Sequence, residues 1–319
     1  MECSIIIPVW NQLESTRACV DSVFRNTDSG YRLIIIDNAS QDETRRYLEG
    51  LAALKDSPVT VIRNEENTGF VKAANQGMRI SEGPYVCILN NDTLVTGHWL
   101  REMIGILSGS PDIGIVNPSS NNLGQRPAAG GSIDDYASRL YSEERGRFAE
   151  LGSAIGFCML IKRTLIEKIG LFDEAYGPGT FEDTDFSRRA VREGFRCVRA
   201  CGAYVYHKEG GSFGRSREYD SNFARNRALY ESRWGRPKRV LYRASKRDLV
   251  LSGNSVARML KLAREGNWVY IYLRESADVK DIPAHSNIVV KKFPDSFFGV
   301  RTAMKMLTKK KRFDEIYEV

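Results

Sequence analysis

Short apolar runs that end in polar turns, with helical stretches between them, constrain this chain more than any other feature. The runs are Cys3-Ser4-Ile5-Ile6-Ile7-Pro8-Val9, Tyr31-Arg32-Leu33-Ile34-Ile35-Ile36-Asp37, Val59-Thr60-Val61-Ile62-Arg63 and Tyr85-Val86-Cys87-Ile88-Leu89. Runs this short and this rich in β-branched residues read as buried strands. Residues 12–26, 43–54 and 70–80 carry helical spacing between them. Strand, helix, strand, helix in alternation predicts a mainly parallel sheet with helices on both faces. Such sheets bind ligands at the carboxyl ends of their strands. Here those ends deliver Pro8-Val9-Trp10-Asn11, Asp37-Asn38, the stretch from Asn64 to Gly69, and Asn90-Asn91-Asp92. No Gly-x-Gly-x-x-Gly follows the first strand and no Gly-Lys-Ser/Thr is present. A dinucleotide oxidoreductase and a P-loop enzyme are therefore disfavoured.

The pattern continues to His207. Residues 154–161 read as a strand, 163–169 as a short helix, and Glu182 opens a helix that Gly194 closes. Residues 197–206 form a further strand with His207 at its end, while Ser120 to Ser132, rich in Gly, Asn and Ser, reads as a mobile loop beside the crevice. Beyond Pro237 a small, separate α/β unit is expected, which divides the chain into residues 1–236 and 237–319. That second part holds 18 Lys and Arg against 9 Asp and Glu, whereas the rest holds 29 against 31. The excess of positive charge suits phosphate, nucleic acid or an anionic membrane surface, and a solvated basic face explains it equally well. No RNP-like or helix-turn-helix pattern supports nucleic acid. No apolar run is long enough to cross a bilayer, and the first residues lack a secretory leader, so a cytosolic protein is expected. The six cysteines are scattered through apolar runs and read as reduced and structural; Cys197 and Cys201 alone do not make a zinc knuckle.

Several polar residues could carry chemistry, and each has a plainer explanation. Asp37 could accept from a nucleobase N–H, or simply form a turn with Asn38-Ala39-Ser40. Asn90-Asn91-Asp92 offers the oxygen ligands that hard cations prefer, and is also good turn chemistry. Glu182, Asp183 and Asp185 complement the positive end of a helix, but three acids exceed what capping needs. Crowding or burial would raise one of their pKa values and make a usable base. His207 is one of three histidines, and is either structural or a metal ligand.

Taken in order, these segments resemble the family 2 glycosyltransferases of the GT-A fold. Ser4 to Asn11 looks like that family's first strand, and Asp37-Asn38-Ala39-Ser40-Gln41-Asp42 like its nucleoside-binding turn. The stretch from Asn67 to Gly77 matches a further family segment, and Asn90-Asn91-Asp92 stands at the DxD position. Gly156-Phe157, Gly170 to Glu174 and Glu182-Asp183-Thr184-Asp185 match the acceptor half. His207 with Gly210-Gly211-Ser212, then Asn226 and Trp234-Gly235, complete it. The resemblance covers about residues 1–236.

It implies an inverting transferase with Asp183 as general base and Glu182 in support. Asp92 and His207 would hold Mg2+ or Mn2+ on the diphosphate. Pro8, Val9, Trp10, Asn11, Asp37, Asn38, Gly69, Asn75, Asn90, Asn91 and Asp92 would line the donor site. The donor would be UDP- or dTDP-linked. The acceptor would be a hydroxyl of a glycan, lipid-linked or protein acceptor in cell-surface polysaccharide or glycoconjugate synthesis. Asn90 replaces the first acid of DxD, as in sequences similar to rhamnosyltransferases. The competing expectation is a degenerate scaffold that binds sugar nucleotides without turnover. The basic C-terminal part could dock on a membrane that carries a lipid-linked acceptor.

Overall fold

The structure is a computed structural model and describes all residues except 1, 29, 55–56, 129, 209–216, 245–252, 278–281 and 283. The motif Gly210-Gly211-Ser212 lies outside the described residues. The chain divides into two compact units. One comprises Met1–Phe148 and Ala154–Arg233, the other Ala149–Ser153 and Trp234–Val319. The excursion at Ala149–Ser153 is a feature that a single boundary at residue 236 does not anticipate.

The first unit opens with strand, helix, strand, helix as its periodicity predicts. β1 (Cys3–Val9), α1 (Leu13–Asn26), β2 (Tyr31–Asp37), α2 (Asp42–Ala52), β3 (Val59–Arg63), α3 (Phe70–Ile80) and β4 (Tyr85–Leu89) follow in order. β5 (Thr93–Val95), α4 (Trp99–Gly109), β6 (Ile113–Ser119) and α5 (Ile133–Glu144) come next, then β7 (Phe148–Leu151), of which only Phe148 belongs to this unit. β8 (Cys158–Lys162), α6 (Arg163–Ile169), α7 (Glu182–Arg192), β9 (Arg196–His207) and α8 (Arg217–Trp234) complete it. The main path of the sheet runs β3-β2-β1-β4-β8-β6-β9-β5. β1, β2, β3 and β4 run parallel to one another, and β8 enters antiparallel between β4 and β6. This is the mixed, mainly parallel sheet expected from the alternation.

Strand order reverses at β1, which has β2 on one side and β4 on the other. That reversal is where a crevice opens in such sheets. β1 pairs with β2 along its whole length, to Val9 opposite Asp37, but with β4 only as far as Ile6 opposite Ile88. Beyond Ile6 the β4 side is free of ladder bonds, so Pro8 costs nothing there by lacking an N–H. Helix α3 lies hard against β1. A Cβ on Gly77 would come within 2.4 Å of Ile6 Cγ2, so only glycine permits the approach. Ile5, Ile6, Ile7, Leu33, Ile34, Ile35, Ile36, Cys87, Ile88 and Leu89 are fully buried, as two-sided cover requires.

Two expectations change. The strand expected over residues 154–161 begins only at Cys158. The N–H groups before it are taken by side chains: Ala154 donates to Ser187 Oγ, Ile155 to Asn117 Oδ1 and Gly156 to Asp183 Oδ2. The expected mobile loop from Ser120 begins as a tight turn, Asn121–Leu123, with Asn121 buried. β6 also escapes a hydropathy reading because it ends Asn117-Pro118-Ser119, polar residues that are nonetheless buried. Asn117 donates to the carbonyls of Ile155 and Cys158, which satisfies its amide inside the protein.

The second unit is a four-stranded parallel sheet, β12-β11-β10-β13. Its elements are β10 (Arg239–Arg243), α9 (Gly253–Arg264), β11 (Trp268–Arg274), β12 (Ile288–Phe293), α10 (Phe298–Leu307) and β13 (Glu315–Glu318). Glu150, from the excursion, is held in this unit by two bonds from Arg264 at 2.7 and 2.8 Å and by backbone bonds to Ala284 and Ser286. All six cysteines are free, and five of them are buried.

Candidate active site

The carboxyl ends of β1 and β2 form a polar shelf. Asn11 and Gln12 both adopt left-handed backbone, φ 56° and 57°, which turns the chain sharply from β1 into α1. Asn11 ties this turn to the next: its N–H donates to Ser40 Oγ and its Oδ1 accepts from Gln41 N–H. Asp37 is buried, accepts from Ser40 N–H and pairs with Arg63. Asn38 is buried too. Its Oδ1 accepts from Asn64 Nδ2, Thr68 N–H and Thr68 Oγ1, while its Nδ2 donates to Asn67 Oδ1. Asn38 thus shapes the loop that leads to Gly69. Trp10 stands out from the shelf, 48% exposed, with its ring open to a ligand. Asn75 is turned away from it. Its amide donates to Phe172 O and Glu174 Oε1 and accepts from Phe172 N–H, so it clamps α3 to the Phe172 segment instead of lining an open surface.

At the end of β4 the three residues of the triplet do different work. Asn91 donates to Thr16 Oγ1 at 2.9 Å and pins the turn to α1. Asn90 donates its N–H to Phe157 O at 2.8 Å, while its side-chain carbonyl is buried without a partner. Asp92 meets His207, Oδ1 to Nε2, at 3.0 Å. The register explains the meeting: β5 and β9 run antiparallel with Thr93 opposite His207. The imidazole is stacked on Phe157, with ring centroids 5.2 Å apart, and its Nδ1 is met by Asn122. An amide can present either its NH2 or its carbonyl to that nitrogen, so Asn122 can hold the ring in either tautomer. Asn121 brackets the His207 backbone, accepting from its N–H and donating to its carbonyl. Neither asparagine stood out in the sequence, because the fold alone brings the stretch from Ser120 to the end of β9.

A divalent cation fits here on donor chemistry. Asp92 offers a carboxylate, His207 an imidazole nitrogen, and the orphaned Asn90 Oδ1 a carbonyl oxygen of the kind hard cations accept. Among the described residues no group of three His, Cys, Asp or Glu side chains forms a complete site. A cation would need further oxygens from a bound ligand, and a diphosphate supplies them.

The second acidic centre lies at the start of α7. Thr180 and Phe181 precede it with φ 76° and 69°, left-handed conformations that cost each of them strain. Asn226, fully buried on α8, holds this strained loop by donating to the carbonyls of Tyr176, Gly179 and Thr180. Gly69, at φ 83°, lets the turn before α3 touch the same loop: a Cβ there would lie 2.8 Å from Pro178 Cα. The strain delivers Glu182 and Asp183 inward. Asp183 Oδ2 accepts from Gly156 N–H at 2.9 Å, and its Oδ1 accepts from the N–H and hydroxyl of Thr184. Burial pushes the Asp183 carboxyl above its usual range, against those hydrogen bonds. Glu182 is buried with Oε2 unpartnered, and burial and then the Asp183 charge raise it to about 8. Asp185 belongs to the frame: Tyr176 donates to it and Arg189 pairs with it at 2.9 Å.

Two adjacent residues join the centres. Phe157 accepts from Asn90 N–H and stacks on His207, while Gly156 donates to Asp183. Consecutive Cα atoms are about 3.8 Å apart, so one two-residue segment bridges the candidate cation side and the acid pair.

Residues 4–170 match the family described as glycosyl transferase family 2. The uncharacterized protein y4gI of Sinorhizobium fredii is 27% identical over 248 residues, which cover 72% of this chain and 27% of that protein. Glycosyltransferase AglE of Haloferax volcanii is 24% identical over 194 residues, 60% of this chain and 62% of AglE. The chain thus spans less than two thirds of either relative. The crystal structure of GalNAc-T7 with UDP, GalNAc and Mn2+ shares the fold, with a TM-score of 0.58 at 18% identity over 73% of this chain and 50% of that one.

Proposed function

The chain belongs to glycosyl transferase family 2, and from that premise we propose that it is an inverting, metal-dependent transferase. It moves a sugar from a UDP- or dTDP-linked donor to a hydroxyl of a glycan, lipid-linked or protein acceptor. The product belongs to cell-surface polysaccharide or glycoconjugate synthesis. The observation that supports the reading is the Gly156-Phe157 segment, which bonds to Asn90 through Phe157 and to Asp183 through Gly156, between the carboxylates assigned here to the diphosphate and to the base.

Asp183 takes the proton from the acceptor hydroxyl as its oxygen attacks the anomeric carbon. The bond from that carbon to the diphosphate oxygen breaks on the opposite face, so configuration inverts. Of the two neighbouring carboxyls, Glu182 keeps a proton, because its Oε2 has no donor to stabilise a charge. Asp183 carries the negative charge, because three hydrogen bonds favour its ionised form. Mg2+ or Mn2+, held by Asp92 and His207, would neutralise the charge that grows on the leaving diphosphate. Asp37 and Asn38 shape the nucleoside shelf, and Trp10 offers it a ring face. The Asn90-Asn91-Asp92 triplet favours a rhamnosyl-type or related hexosyl donor, by its likeness to rhamnosyltransferases.

A thermal-shift screen of nucleotide sugars with and without Mn2+ tests the donor half. A matching donor at a hundredfold excess over its Kd should add about 2.7 kcal/mol of stability, and more with Mn2+ than without. Transfer assays on Asp183→Asn test the chemistry. If the donor binds and the variant transfers as well as the parent, the chain is a sugar-nucleotide-binding scaffold and the catalytic reading fails.

A further inference from the structure

We propose that α10 is an interfacial anchor that lays its outer face on an anionic lipid surface. The inference is independent of the transferase reading, since it needs neither donor nor cation. Its basis is an apolar row that the fold leaves uncovered. Phe297, Val300, Met304 and Leu307 are 76%, 57%, 56% and 85% exposed, and are the four most exposed large apolar side chains among the described residues. Spacings of three, four and three place them on one stripe of the helix. The opposite face is spoken for. Phe298 and Thr302 are buried, and Met306 packs on the cluster of Leu241, Tyr270 and Tyr272. The helix is therefore amphipathic with a second, smaller apolar stripe that its own unit does not use.

The entry to the helix reinforces this. Phe297 adopts left-handed backbone, φ 57°, a costly conformation for an aromatic residue, and its ring is turned out to solvent. Burying that ring elsewhere is the gain that would offset the strain.

Charge selects the occupant. Arg301 and Lys305 flank the apolar stripe, and Lys310, Lys311 and Arg312 follow the helix end; all five are exposed. Lys309 is drawn back over the Tyr270 ring, 3.3 Å from its centroid, which fastens the helix end to the sheet. An apolar stripe bordered by cations matches a lipid headgroup layer of negative charge over an acyl interior. A second copy of the chain fits poorly, because a twofold contact would set these like charges against one another. No helix among the described residues is long and apolar enough to cross a membrane, so this attachment would be to one face.

The test is co-sedimentation of the full chain with vesicles. One set holds equal parts of phosphatidylglycerol and phosphatidylcholine, and a control set holds phosphatidylcholine alone. The parent should partition to the anionic vesicles at least ~10-fold better than to the neutral ones, and salt should weaken it. A triple variant, Val300→Ser, Met304→Ser and Leu307→Ser, should lose ~10-fold or more in partition while its thermal transition stays put, since the altered side chains are exposed. A second variant, Arg301→Gln with Lys305→Gln, should weaken binding by a smaller factor and flatten the salt dependence. Equal sedimentation of parent and triple variant, or no sedimentation of the parent, overturns the proposal. So does a parent that self-associates in sedimentation velocity while the triple variant does not, since the stripe is then an interface between copies. Donor-induced thermal shifts, unaffected by any of these results, keep the transferase reading separate.

Discussion

Asp92 lies just beyond β4 and Asp183 in the first turn of α7, and their carboxylates sit in different company. Asp92 faces an imidazole that is stacked, bracketed and oriented by Phe157, Asn121 and Asn122. Asp183 faces backbone and hydroxyl donors, with a second carboxyl as its chain neighbour. The first arrangement sets two different donors, a carboxylate and an imidazole, against one another as a cation site requires. The second suits proton transfer, the role proposed for it, because burial and like charge lift its pKa values while hydrogen bonds hold Asp183. Residue type does not separate these roles, since each centre is an aspartate. What surrounds the carboxylate does.

The contrast can be broken most directly at Asp183. Asp183→Asn should lower transfer by ~10^3-fold while leaving donor-induced thermal stabilisation intact. If binding falls with turnover, the residue holds donor instead of moving a proton. Asp92→Ala should lower transfer by ~100-fold and should also remove the extra thermal shift that Mn2+ adds, a double signature absent from Asp183→Asn. A chelator should reproduce it in the parent.

The scaffold beneath the proton site gives a smaller effect. Asn226→Ala would remove a donor from the carbonyls of Tyr176, Gly179 and Thr180, of which Tyr176 keeps Arg225, and would loosen the strained Thr180-Phe181 turn. A loss of about 2–3 kcal/mol on urea unfolding is expected, together with slower turnover at saturating donor. Unchanged stability would show that the turn holds itself.

The smallest effect is a slope. The Glu182 carboxyl ordinarily titrates at 4.5 and is raised to about 8 in the fold. The folded state therefore binds the proton more tightly. The stability this contributes is fully present below about pH 4.5 and is lost as pH rises through about 8. Thermal transitions of Glu182→Gln should fall less than those of the parent across that window. Parallel curves would mean that Glu182 ionises freely in the fold, and the division of charge with Asp183 would need to be reversed.

Much of the crevice was legible in the chain. β1 to β4 follow the apolar runs, and their ends carry Trp10, Asp37, Asn38 and the Asn90-Asn91-Asp92 triplet, because buried parallel strands must be continuously apolar and only their ends can be polar. Residues 93–151 were less legible. The helical spacing of Trp99, Met103, Ile106 and Leu107 is plain in retrospect, but Asn117 and Ser119 disguise a fully buried strand. Asn75, expected to line a donor site, has its amide engaged with Phe172 and Glu174.

The sequence by itself determined the mainly parallel sheet, the two acidic centres and the basic C-terminal part, because these follow from local periodicity and residue type. Only the tertiary structure decided that Asp92 meets His207, 115 residues away in the chain, and that Gly156 and Phe157 contact both centres. It also left Phe297, Val300, Met304 and Leu307 of the α10 stripe uncovered. Each of these depends on strand register or packing between distant segments, and neither leaves a trace in local spacing.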